Sequence, residues 1–440
     1  VSNLSIGMYA FVFMLGLMAL RVPIALAMFL PGAIGYSLIA GQNPLLNHLK
    51  GAMFARLSIY DLSVIPLFMM MGAFAMHSGL SKALFVFSNA ILGRFKGGMA
   101  MAGILACAAF GSISGSSVAT TATIAQVALP EMRRLQYSGR LSTAALAAGG
   151  TMGILMPPSV TLMIYAIITE QNITKMFLAA YIPALLAAIG YLIAIAIYVR
   201  LRPNHAPQAS TPNSKEFLSS AMNVWPILVI FLLVFGGIYG GIFTPTEGAS
   251  IGTASTLLIA ILKNSMTIDK FKKSVMSTAQ TSGMIFMIFI GADMINACLA
   301  LSQLPNELAF AVSQANISPV AVMALIMIFY IILGSVMDEM SMILLTVPVI
   351  FPVVIGLDYF GLSAGDKALW FGILILSVCE IGMIFPPVGL NVYIMNGLAK
   401  DVPMSETYKG VIPFLFSDVI RIILLIAFPS ISLWLVHRIL

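Results

Sequence analysis

Residues 176–199, MFLAAYIPALLAAIGYLIAIAIYV, contain no charged side chain. A helix crosses the hydrocarbon core of a bilayer in about 20 apolar residues. Comparable apolar stretches run over 4–40, 62–80, 98–130, 142–169, 222–262, 275–301, 317–357, 368–397 and 410–438. The chain is 60% hydrophobic and 9% charged, against about 25% charged in a soluble domain. That leaves too little polar material to cover a water-facing surface. Lipid is the expected solvent. Backbone groups in lipid must be satisfied internally, so an all-α polytopic membrane fold follows. The formal net charge of +6 then reports loop orientation, and no nucleic-acid partner is expected. Cys107, Cys298 and Cys379 lie in apolar stretches, with neither disulfide nor metal-site spacing, and read as buried small hydrophobes. The first apolar run lacks a preceding basic region, so it reads as a span rather than a signal peptide.

Landmarks recur in the two halves. Arg21-Val22-Pro23 divides the first long stretch, and Thr244-Pro245-Thr246-Glu247 divides 222–262. Gly111-Ser112 is matched by Gly334-Ser335, and Pro157-Pro158 by Pro386-Pro387, at offsets of 222 to 229 residues. Between the halves, PNHAPQASTPNSKEFLS (203–219) is the longest polar segment and reads as a cytoplasmic linker. The expected organisation is a first repeat over 1–202, the linker, and a second repeat over 220–440.

Charge orients these halves oppositely. Basic clusters at Arg94/Lys96, Arg133/Arg134/Arg140, Arg200/Arg202, Lys215 and 263–273 should face the cytoplasm; Lys50 and Arg56 run against the pattern. The segment 97–132 begins and ends at cytoplasmic charge with GSISGSS at its middle. It is too short for two full spans with a turn, which fits a re-entrant hairpin. The segment 317–357 has no Lys or Arg, carries GSVMDEMS at its middle, and should open from the opposite side.

Each presumed hairpin is followed by a long span with a Pro-Pro pair, in GILMPPSV (153–160) and GMIFPPVG (382–389). Proline removes a donor, clashes with the preceding turn and disfavours a helical residue before it. Both spans should unwind near their centres, freeing carbonyls for a cation and helix N-termini for an anion. A structural kink is the plainer reading of one pair; recurrence beside a Gly-Ser hairpin favours an ion or substrate site. GSISGSSVATTATIAQ (111–126) is hydroxyl-rich. Asp338 and Glu339 occupy the matching tip. Acidic groups at membrane depth are costly, so Asp338, Asp293 and Glu380 are ion-site or gating candidates. Glu247 fits a transport role and a helix start equally. Lone His77 reads as packed rather than ligating.

GSISGSS, GGTMGILMPPS, TPTEGA and GMIFPPVGLN resemble the large, DctM-type membrane subunit of tripartite ATP-independent periplasmic (TRAP) transporters, over nearly the whole chain. The resemblance implies an elevator-type fold of two inverted repeats in the bacterial inner membrane. It implies Na⁺ coupling with two or more sites, a separate small four-helix subunit (DctQ-type) and a periplasmic substrate-binding protein (DctP-type). One Na⁺ is implied at Ser112, Ser114, Gly149, Met152 and Pro157. A second is implied at Gly334, Asp338, Gly382 and Pro386. An organic acid (C4-dicarboxylate, 2-oxo acid or sialic acid) is implied near Ser116, Ser117, Thr151 and Asn391. No arginine stands in that expected site. An ion channel or exchanger without organic substrate is the alternative. An enzyme is not expected, since no HExxH, nucleophile–base pairing or phosphate loop is visible.

Overall fold

The computed structural model describes residues 2–207, 214–314 and 317–439. Twenty α-helices account for most of these. In the first half they are α1 (Asn3–Ala19), α2 (Ile24–Ala40), α3 (Gln42–Leu57), α4 (Val64–His77), α5 (Leu80–Leu92), α6 (Gly98–Ser114), α7 (Ser117–Arg134), α8 (Gly139–Leu155), α9 (Val160–Ile168) and α10 (Ile173–Leu201). The second half holds α11 (Ser214–Tyr239), α12 (Pro245–Leu262), α13 (Ile268–Leu301), α14 (Leu304–Gln314), α15 (Pro319–Gly334), α16 (Glu339–Gly356), α17 (Ala364–Gly382), α18 (Leu390–Leu398), α19 (Met404–Ala427) and α20 (Ser430–Ile439). Seven helical segments among the described residues are long and apolar enough to cross a membrane.

The expected breaks fall where the sequence places them. The Arg21 turn, with positive φ, separates α1 from α2. At Thr244 the chain re-enters helix through a capping box. The Thr244 hydroxyl accepts from the Glu247 amide, and the Glu247 carboxylate accepts from the Thr244 amide at 2.8 Å. Glu247 therefore serves a helix start. A further matched pair joins these landmarks. Ser78 and Ser302 each donate to the carbonyl three residues back and accept from the amide two residues on.

Two expectations change. The linker 203–219 is shorter, because Pro203–His205 forms a 3₁₀ turn and α11 already begins at Ser214; residues 208–213 lie outside the described residues. The stretch 410–438 is two helices rather than one span, since Pro429 follows α19 and cannot continue its hydrogen bonding. Residues 42–57, the region whose Lys50 and Arg56 run against the charge pattern, form α3. Its polar side chains conceal the helix from a search for apolar runs.

The halves interlock by exchange. Helix α2 packs along α13, and α12 along α4, so each half's second helix lies on a helix of the other half. The deepest core is formed by α6, α8, α9 and α17, where Phe110, Met152, Tyr165, Trp370 and Phe371 are buried. Cys107 of α6, Cys379 of α17 and Cys298 of α13 are free and buried.

Candidate functional site

The hairpin α6–α7 turns at Gly115 and Ser116. Gly115 has φ +60°, and a Cβ there would meet the Pro158 carbonyl oxygen at 2.9 Å. Its own carbonyl accepts from the Val160 amide at 3.3 Å. The tip is thus seated in the break Met156–Ser159, between α8 and α9. Closer still, a Cβ on Gly153 would meet the Ser116 carbonyl oxygen at 2.7 Å. Small residues here let two backbones touch. Each new half-helix is capped from its own loop: Ser116 accepts from the Ala119 amide, and Ser159 from the Leu162 amide.

The second hairpin repeats this arrangement. Helices α15 and α16 turn over Ser335–Asp338, and α17 and α18 are separated by Met383–Gly389. A Cβ on Gly382 would lie 2.6 Å from the Gly334 carbonyl carbon. The Gly389 amide donates to the Ser335 carbonyl at 3.4 Å. Both Pro-Pro bonds, Pro157–Pro158 and Pro386–Pro387, are cis.

The side chains at the tips are specific. Ser112 donates to the Ala109 carbonyl at 2.7 Å, and Ser114 pairs with Thr120 at 2.7 Å. Each hydroxyl retains acceptor capacity. Gly149 and Met152 are buried on α8. Asp338 caps α16, with its carboxylate accepting from the Ser341 amide at 3.0 Å and the Ser341 hydroxyl at 2.5 Å. Its neighbour Glu339 is buried. Among the described residues, no group of three or more His, Cys, Asp or Glu side chains could hold a metal ion. The oxygens gathered at the first tip are hydroxyls and backbone carbonyls, and the second tip adds the Asp338 carboxylate, hard donors of the kind that suit a hard cation.

Asn391 reaches from α18 to the first half. Its Nδ2 donates to Ser117 Oγ at 2.7 Å and to the Ala147 carbonyl at 3.1 Å. The Ala147 carbonyl can only accept, which fixes the amide orientation. Asn391 Oδ1 is buried without a partner. The side chain thus joins the first hairpin, α8 and α18, and the atom left over is an acceptor. Thr151 turns elsewhere. Its Oγ1 lies 2.7 Å from the Ala148 carbonyl and 3.3 Å from Tyr191 Oη.

Tyr191 opens onto a group of which sequence reasoning named only Glu380. Its hydroxyl donates to Asp418 Oδ2 at 2.8 Å. Arg421 Nη2 lies 3.0 Å from Asp418 Oδ1 and 2.5 Å from Glu380 Oε2. Neither ion pair is aligned as a hydrogen bond, and Nε and Nη1 of Arg421 have no partner. All three charged residues are at most 4% exposed. Asp418 and Arg421 lie in a stretch dominated by apolar residues, and nothing local marks them as paired with Glu380, about 40 positions earlier. Asp293 is placed apart from both tips, paired with His48 at 3.1 Å. His77 ends α4, part-buried.

Two hairpins seated in two broken helices, inside a bundle of apolar spans, define a polytopic secondary-transporter architecture. The TRAP transporter DctM component family matches residues 11–431, and the chain belongs to that family. It is 31% identical to the C4-dicarboxylate TRAP transporter large permease DctM of Pseudomonas aeruginosa, over 85% of this chain and 86% of that one. The isethionate permease DctMQ of Oleidesulfovibrio alaskensis is 29% identical, over 90% of this chain and 60% of that longer protein. The sialic acid large permease SiaM of Vibrio cholerae is 26% identical over 96% of each. In structure, the chain is similar to the Alcanivorax borkumensis YdaH transporter (TM-score 0.60, 14% identity, 88% and 89% of the two chains). That likeness concerns the fold. The chain is a multi-pass TRAP transporter large permease, and its relatives are permeases rather than enzymes.

Proposed function

We propose that this subunit carries an organic acid across the bacterial inner membrane by Na⁺-coupled secondary transport of the elevator type. The observation that carries the reading is the seating of each hairpin tip in a proline break, with Gly153 against Ser116 and Gly382 against Gly334. Such breaks present unpaired carbonyls and helix ends at membrane depth, where ions are otherwise excluded. Ser112, Ser114, Gly149, Met152 and Pro157 border the first cation region. Gly334, Asp338, Gly382 and Pro386 border the second. The acid lies between the tips, near Ser116 and Ser117, with backbone amides and the bound cation as its counter-charges. Asn391 has both amide hydrogens engaged, so it holds the site's walls rather than donating to the acid. The C4-dicarboxylate class is the first choice, by kinship with the Pseudomonas protein; sialic acid and 2-oxo acids are tested beside it.

The two halves, 1–202 and 220–440, are taken as inverted repeats. A DctQ-type small subunit is proposed as partner, since the Oleidesulfovibrio relative is named as a DctMQ protein. A DctP-type binding protein would deliver the substrate. Reconstitution of all three in proteoliposomes tests the reading. Uptake of labelled succinate, sialic acid or pyruvate should require both the binding protein and an inward Na⁺ gradient. Uptake that persists with choline replacing Na⁺, under an imposed membrane potential, would remove the Na⁺ coupling. Ion flux down either gradient without the binding protein would make the chain a channel or exchanger.

A further inference from the structure

Thr151 stands six residues before Pro157, and Glu380 six before Pro386. The two positions are equivalent in the two broken helices. They are also the two ends of one buried chain of polar contacts: Thr151 to Tyr191, Tyr191 to Asp418, Asp418 to Arg421, Arg421 to Glu380. The chain runs from α8 through α10 and α19 to α17. Trp370 of α17 adds a bond from its Nε1 to the Leu425 carbonyl of α19 at 2.8 Å. We propose that these residues position the two breaks relative to each other, so that a change at one hairpin seat is transmitted to the other. The proposal rests on the reading of the breaks as the transport site.

The physical argument has three steps. First, charge at this depth is expensive unless it is paired. Two carboxylates around one guanidinium hold α17 and α19 in the one arrangement that neutralises most of that charge. Second, Glu380 lies two residues before Gly382, where α17 ends against Gly334 of the second hairpin. A backbone-to-backbone contact so close transmits displacement instead of absorbing it. Third, Thr151 has the Ala148 carbonyl and Tyr191 Oη both within reach, and Tyr191 has its own hydrogen committed to Asp418. A shift of α8 at its break can therefore exchange the Thr151 hydrogen between two acceptors. That alternative is discrete, as a two-state element requires. None of these side chains touches a hairpin tip in this arrangement, so they act as positioning residues.

The test uses the full-length protein in proteoliposomes, with Val336→Cys as a reporter at the second tip. Val336 is 63% exposed, and the native cysteines are buried. The rate of alkylation by N-ethylmaleimide is measured with and without Thr151→Val, in ligand-free protein. Thr151→Val should change the rate at the distant tip by about fivefold, the lower end of ordinary coupling between sites. In a Tyr191→Phe background, which keeps the ring and removes the link, the effect of Thr151→Val should vanish. Arg421→Ala leaves two carboxylates without a counter-charge and invites misfolding; Arg421→Lys keeps the charge and should preserve the coupling in part. No response at the second tip to Thr151→Val, or an undiminished response with Tyr191→Phe, overturns the proposal. The Na⁺ reading is tested apart, by titrating Na⁺ against choline in the same assay. Protection absent at every Na⁺ concentration sinks that reading and leaves the ligand-free comparison intact.

Discussion

Asn391 shows how one side chain can join three elements. Its two amide hydrogens hold Ser117 of α7 and the Ala147 carbonyl of α8 from the first turn of α18. Asn391→Leu removes both of these buried hydrogen bonds, to Ser117 Oγ and to the Ala147 carbonyl. The expected loss is about 1–3 kcal/mol of stability, read as a lower melting temperature in detergent. Asn391→Asp should be worse, because an acceptor would then face the Ala147 carbonyl. Outside the spans, His205 offers a pH dependence. Its Nδ1 lies 2.8 Å from Tyr198 Oη, and Ser138 donates to its carbonyl. Burial lowers its pKa from 6.5, Arg202 and Arg140 add to this, and Glu406 opposes it. Just below pH 6.5 the unfolded chain binds a proton that the folded chain refuses. Stability should therefore fall as pH drops from 6.5 toward the lowered value. His205→Gln should flatten that part of the melting profile; an unchanged slope would assign it to another group.

Breaks and hairpins are the elements that define the site, and they announce themselves in the sequence because their signals are steric and local. A Pro-Pro pair cannot continue a helix in any environment, so both unwound segments fall where GILMPPSV and GMIFPPVG put them. Gly and Ser clusters mark the tips for the same reason. What escapes is pairing at long range. Glu380 meets Asp418 and Arg421 only through the packing of α17 on α19, and Asp338, conspicuous as an acid, spends its carboxylate on a cap. The close seats make a direct prediction. Gly382→Ala must displace the Gly334 backbone, while Gly283→Ala meets nothing within 4 Å. Transport should drop at least about tenfold in the first, as misplacement of a positioning element commonly costs more, and stay near wild type in the second. Replacing Pro157 and Pro158, or Pro386 and Pro387, by Ala should let the helix re-form and withdraw carbonyls. Loss of one polar contact of about 1–3 kcal/mol corresponds to one to two decades in apparent Na⁺ affinity, at about 1.4 kcal/mol per decade. Folded variants at all four prolines with unaltered Na⁺ dependence would reduce the breaks to kinks.

At the scale of the whole chain, orientation in the membrane follows from charge. Arg133 and Arg134 close the first hairpin, Lys270, Lys272 and Lys273 lie in the first turns of α13, and the second hairpin carries no basic residue. Lys and Arg are retained on the cytoplasmic side during insertion, so the loops near 134 and 270 are expected inside and the turn at 358–363 outside. Contacts beside the end of α7 hold distant segments in one compartment: Arg133 pairs with Asp401, and Arg140 Nε with Glu406 at 2.7 Å. Those pairs place the loop between α18 and α19 on the same side as the end of α7. Single cysteines at positions 134, 270, 361 and 401, labelled with an impermeant maleimide in right-side-out and inverted vesicles, check the arrangement. Positions 134, 270 and 401 should react only in inverted vesicles, and 361 only in right-side-out ones. Position 361 is the decisive one. Two hairpins opening from opposite faces require it to lie across the membrane from 134. Labelling of both from one face would place the hairpins in parallel and leave the two breaks unable to exchange access between compartments.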